Sequence, residues 1–159
     1  MAGGEARSAW RITSGRFAGS AFDGEGARLY GGRWNHRGTA MVYCSATLSL
    51  AALEYFVHLE PDLAPDGLVS LRAEIPSAVA VEFLEIAALP AGWRSYPGPE
   101  RLRDLGSGWV RGGRTAVLSV PSSVIPHERN LLLNPVHPEF SRLHLGTAEP
   151  FSFDPRMWK

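Results

Sequence analysis

Residues 47–60, TLSLAALEYFVHLE, make a helix-length segment that is oily around most of its circumference. At 3.6 residues per turn, Leu48, Ala51, Ala52, Tyr55, Phe56 and Leu59 form one apolar stripe, and Leu50, Leu53 and Val57 form a second flank. Such a helix must be covered on more than one side, so most of it is expected to be buried. The segment before it, TAMVYCS (39–45), is β-branched and aromatic and reads as a strand. Ser45 or Thr47 can cap the helix, which is expected to run to about Glu60, before Pro61.

Glu54 interrupts the oily surface. It lies in the second flank, three residues before Val57, four after Leu50 and four before His58. A buried carboxylate without a partner is strongly destabilising or takes up a proton. Two structural readings are open: a salt bridge with Arg33, or a helix-surface pair with His58 worth about 0.3–0.5 kcal/mol. The functional reading is an acid set beside a substrate.

Arg33 follows Gly31 and Gly32 in LYGGRWN, where glycine lets the backbone come close to a ligand or take positive φ. A turn arginine facing solvent accounts for the same residues, and no P-loop or GxGxxG fingerprint accompanies them. Tyr43, at the strand's end, reads either as a core aromatic or as a ring beside a substrate, and Tyr30 is open in the same way. Downstream, VPSSVIPHERNLLLNPVHP (120–138) puts Ser122 after a proline at a strand end. There its hydroxyl either caps a turn or faces a cleft. No GxSxG elbow supports a serine hydrolase. His127 and His137 lack HExxH-like spacing, so no metal is expected. Asn130 and Asn134 read as residues that hold loops together.

The rest of the chain reads as short strands with few helices, an α+β pattern. Residues 1–9 are expected to be a loose leader, Trp10–Thr13 to begin a strand, and 14–35 to be a long glycine-rich loop. Strands are expected at 67–76 and at 115–126, the latter closed by Pro121; 78–86 is a strand candidate whose glutamates leave helix open, and a short helix is expected at 99–110, ended by Gly106 or Gly108. Residues 130–140 look turn-rich, and a last strand is expected around Phe151–Phe153. With 159 residues and no linker or repeat, the chain 1–159 is expected to be one domain. Sixteen basic and sixteen acidic residues cancel, which offers no general field for a nucleic acid. The lone Cys44 excludes an internal disulfide and reads as an inert buried thiol. No apolar run reaches a membrane span and the N-terminus has no signal-peptide core, so a cytoplasmic protein is expected.

Taken together, GARLYGGRWNHRGTAMVYCS (26–45), LAALEYFVHL (50–59), LGSGWV (105–110), the 120–138 stretch and the closing PFSFDPRMW (150–158) resemble the RES domain, the toxin half of RES–Xre toxin–antitoxin pairs. The arginine, glutamate and serine that name the family fall on Arg33, Glu54 and Ser122, with Ser119 and Ser123 as neighbouring alternatives for the serine, and Tyr43 matches the tyrosine grouped with them. The resemblance implies a small split mixed sheet like that of the diphtheria-toxin type ADP-ribosyltransferases. It also implies an enzyme that uses NAD+ as substrate and cleaves its nicotinamide–ribose bond with water or phosphate, or transfers ADP-ribose to a protein. Glu54, Arg33, Tyr43 and Ser122 are the expected catalytic set; Arg33, Tyr30, Tyr43, Gly32 and Asn130 are the expected substrate-binding set. The implied partner is an Xre-type helix-turn-helix antitoxin that blocks the site. A non-catalytic binding module, with Arg33–Glu54 as a buried salt bridge, is the reading from another class, and a toxin-like nuclease is more distant.

Overall fold

The structure is a computed structural model that describes residues 4–60 and 64–158. Its strands are β1 (Arg7–Ser14), β2 (Val42–Ser45), β3 (Leu68–Ile75), β4 (Val81–Phe83), β5 (Val117–Pro121), β6 (Arg129–Leu133), β7 (His144–Leu145) and β8 (Glu149–Phe151). They form one mixed sheet of order β4-β5-β6-β2-β1-β3-β7, with β8 beside β3. Among the described strands only β4 and β5 run parallel. β1 and β3 pair along their whole length, from Arg7↔Ile75 to Ser14↔Leu68, whereas β1 meets β2 at a single register pair, Trp10↔Ser45. Two half-sheets thus meet at a narrow seam, which is the α+β, split-sheet arrangement expected.

Alternate residues of each strand feed opposite faces. One face carries Ala9, Leu71, Ala73, Val117, Leu131 and Leu133 in a common core. The other carries Leu118, Val120 and Leu132, covered by α3 (Glu100–Gly112) through Leu102 and Trp109. On that same side, over the β1–β3 half, α2 (Leu48–Phe56) packs Ala51 against Ile12 and Leu68. No helix of the described residues is long and apolar enough to cross a membrane.

Several boundaries differ from the sequence expectation, each for a local reason. Thr47 is the α2 cap, accepting from the Leu50 N–H at 3.1 Å. The helix stops at Phe56, with Leu50 and Ala51 buried; the second flank is core at Leu50 but leaves it by Val57, which is 53% exposed. α3 does not end at Gly106 or Gly108 but runs to Gly112, where Gly113 takes φ 63°. Gly106 serves close packing instead, since a Cβ there would lie 1.8 Å from the Trp34 carbonyl oxygen. The expected 14–35 loop contains a 3-10 turn, Gly15–Ser20, and a short helix, α1 (Glu25–Tyr30). The turn-rich reading of 130–140 conceals β6, which is held between β5 and β2. β1 begins at Arg7, inside the stretch expected to be loose, while residues 1–3 and Pro61 lie outside the described residues.

Candidate active site

β2 organises the site because alternation sends Tyr43 and Ser45 to the same face, and each anchors one half. In the first half, the Tyr43 hydroxyl donates to Asn35 Oδ1 at 2.6 Å and accepts from the Trp34 N–H at 2.9 Å. The fully buried Asn35 donates through Nδ2 to the carbonyls of Ala27, His36 and Thr39. Gly32 is required here because a Cβ would sit 2.6 Å from the Tyr43 hydroxyl. Behind the turn, Ser107 Oγ on α3 accepts from the His36 N–H at 2.9 Å. Burial pushes the Tyr43 phenol well above its ordinary pKa, so it stays protonated and donates.

Arg33 projects from this fixed turn. Its Nη1 donates to the carbonyls of Trp93 at 2.8 Å and Ser95 at 3.0 Å, while Nε and Nη2 make no hydrogen bond to the described residues. Partial burial lowers the guanidinium pKa, opposed by the nearby Glu54 charge. Even so, no ion pair joins Arg33 to Glu54 among the described residues. The salt-bridge reading of Glu54 is therefore corrected. So is the Glu54–His58 pair: His58 lies instead against the Tyr96 ring, 5.9 Å between centroids.

The second half holds Glu54 itself. Ser45 Oγ donates to Asn130 Oδ1 at 2.7 Å, which turns the Asn130 amide so that Nδ2 donates to Glu54 Oε1 at 2.7 Å. Ser122 Oγ donates to the same Oε1 at 2.7 Å and accepts from the Val124 and Ile125 N–H groups at 3.1 and 3.0 Å. Ser122 thus caps the turn, as one of its two readings expected, and its fully buried hydroxyl is spent on Glu54. Ser119 points to the opposite face, where Arg129 Nε donates to it at 2.9 Å. Ser123 meets the cluster through its carbonyl, which accepts from Arg94 Nε at 2.9 Å. Glu54 Oε2 has no hydrogen bond to the described residues. Glu54 is thus held by one oxygen, and Arg33 by one nitrogen, with the remaining atoms open.

The structure brings Arg33, Gly32, Tyr43, Glu54, Ser122 and Asn130 onto one face. Tyr30, at the end of α1, is 77% exposed and has no hydrogen bond to the cluster. Asn130 is a strand residue oriented toward Glu54, not a loop fastener. Sequence reading missed Asn35, Ser45 and Arg94. The alternation of Tyr43 with Ser45 in VYCS was the available signal for Ser45; the other two are oriented by contacts distant in sequence. His36, Glu100 and Asp104 bring possible ligand atoms within 4.8 Å of one another, at the surface beside α3. Cavities of about 530 and 370 Å³ lie on the opposite face of the sheet, the second beside Ser119 and Arg129.

A split mixed sheet presenting a half-held acid near a half-held arginine defines an α+β protein with an enzyme-like polar site. The RES domain model matches residues 8–154, and the chain belongs to the RES domain family. It is 38% identical to a "Toxin Res" of Yersinia enterocolitica, over 93% of this chain and 97% of the relative. It is also 38% identical to a "Prs ADP-ribosylating toxin" of Sphingobium, over 94% of this chain and 96% of the relative. The solved M. tuberculosis MbcT–MbcA toxin–antitoxin complex contains a chain of the same fold, with TM-score 0.70, 16% identity and coverage of 92% and 85% of the two chains.

Proposed function

We propose that the chain is the toxin of a toxin–antitoxin pair and depletes NAD+ by cleaving its nicotinamide–ribose bond. The observation that carries this reading is the pair of half-held groups. Glu54 keeps Oε2 open while Ser122 and Asn130 fix Oε1, and Arg33 keeps Nε and Nη2 open while two carbonyls fix Nη1. A partly desolvated guanidinium without a carboxylate partner favours a diphosphate, whose oxygens match its fork. The open Glu54 oxygen faces the ribose, holding its hydroxyls and stabilising the positive charge of an oxocarbenium-like transition state. The C–N bond breaks with its electron pair going to the pyridinium nitrogen, which leaves as neutral nicotinamide; water, releasing a proton to solvent, or phosphate then adds to the ribose carbon.

Tyr43 serves twice in this reading: its hydroxyl positions the Arg33 turn, and its ring lines the nicotinamide–ribose end. Ser122 keeps Glu54 oriented, Asn130 does so from β6, and Gly32 keeps the turn against Tyr43. Tyr30, exposed at the end of α1, is retained as a peripheral substrate contact. No step requires a metal. The partner is an Xre-type antitoxin that covers the site and supplies DNA binding, in keeping with a chain of formal net charge +0, and the toxin acts in the cytoplasm, where its substrate is.

The name of the Sphingobium relative favours a second reading, transfer of ADP-ribose to a protein. NAD+ concentration followed over time with purified protein, with and without phosphate and alongside Glu54→Gln, separates the outcomes. Loss that Glu54→Gln abolishes supports the enzyme, and its phosphate dependence separates phosphorolysis from hydrolysis. A labelled protein band from labelled NAD+ in lysate moves the assignment to transfer. Absence of both overturns the proposal.

A further inference from the structure

The segment 93–98 enters the reading above only through two carbonyls, yet it also meets the turn after Ser122 and, just beyond α2, His58. Its Trp93 and Ser95 carbonyls receive Arg33. Arg94 reaches the turn after Ser122, donating from Nε to the Ser123 carbonyl at 2.9 Å. Tyr96 meets the ring of His58, four residues beyond Glu54, at 5.9 Å between centroids and 55° between planes. Gly98 leaves room for Arg33, since a Cβ there would lie 2.8 Å from Nη1. The base of the segment is buried at Trp93, which is 9% exposed, but Tyr96 at its tip is 79% exposed. A large aromatic kept in water, on a segment fixed at several points, contributes little to the core. Its phenol also lies close enough to Arg33 to influence that group's charge.

We infer that Tyr96 is a substrate-contacting residue whose ring, presented beside the Arg33–Glu54 site, stacks on a planar base of the dinucleotide. This inference rests on the NAD+-consuming reading. Flat bases gain most from an aromatic face that is already held in place, and such stacking changes affinity by about tenfold or more per base. The His58 ring packs against Tyr96 and helps to hold it.

The test measures NAD+ binding by calorimetry to the Glu54→Gln protein with and without Tyr96→Leu or Tyr96→Phe, together with NAD+ turnover of the Tyr96 variants in the otherwise unaltered chain. The expected result is a Kd and a KM raised about tenfold by Tyr96→Leu, with kcat and thermal midpoint little changed and most of the affinity restored by phenylalanine. Competition with AMP and with nicotinamide assigns the stacked base, according to which competitor Tyr96→Leu weakens. A Kd unaltered by Tyr96→Leu overturns the inference and leaves the enzyme reading intact. Binding with neither NAD+ loss by the purified unaltered chain nor labelling of a protein in lysate overturns the enzyme reading, and no binding of NAD+ to Glu54→Gln or to the unaltered chain overturns both.

Discussion

Glu54 receives two hydrogen bonds on one oxygen, from side chains on β6 and on the turn after β5. Replacing that carboxylate by an amide keeps an oxygen acceptor and the volume but removes the charge. Glu54→Gln is expected to lower NAD+ turnover by about 100-fold or more, while its thermal midpoint stays close to that of the unaltered chain. Ser122→Ala removes more structure, because the hydroxyl serves Glu54 and two backbone N–H groups at once. A loss of about 1–3 kcal/mol in urea unfolding is expected, with a fall in kcat smaller than that of Glu54→Gln. Of these contacts, the sequence revealed only the anomaly: an acid in an oily helix needs a partner. The resemblance put Ser122 and Asn130 in the site, but the residues alone did not pair them with Glu54, and Ser45 becomes Asn130's neighbour only through the register of β2 with β6.

At the scale of elements, α3 shows how a residue type can mislead. Gly106 and Gly108 both look like helix stops, and neither is one. The two differ in surroundings: a Cβ at Gly106 meets the Trp34 carbonyl at 1.8 Å, whereas at Gly108 the nearest atom is an Arg111 nitrogen at 4.0 Å. Gly106→Ala is therefore expected to destabilise by about 3 kcal/mol or more and to displace the turn bearing Arg33. Gly108→Ala is expected to stabilise by about 0.5–1 kcal/mol, through better helix propensity. Denaturant midpoints of the two variants check both signs. Strands with clear alternation, such as β3, were legible in the sequence. β6 was not, because Pro, Asn and His residues follow it closely and its hydrogen bonds come from strands far away in the chain.

At the scale of the whole molecule, high pH works against folding. Burial raises Cys44 from its ordinary 9.0 to about 12, and raises Tyr43 from 10.0 in the same direction. Folding thus favours the neutral form of both groups. Their contribution to stability is complete below pH 9 and is lost as pH rises from about 9 through 12, when the unfolded chain ionises first. Denaturant midpoints measured from pH 8 to 11 should fall with pH, and Cys44→Ala should flatten part of that slope. In the folded protein the same thiol should react only slowly with a thiol reagent at pH 8, as an inert buried cysteine does.

The seam at Trp10↔Ser45 gives the molecule a mechanical property. α2 packs on the β1–β3 half, but the carboxylate it carries is fastened to Ser122 and Asn130 on the other half. Glu54 is consequently a clasp between two jaws as well as an acid. A parting of about 1 Å at the seam would stretch those bonds out of range. Parting the two halves would therefore release Glu54 from both partners with no contact at the site itself.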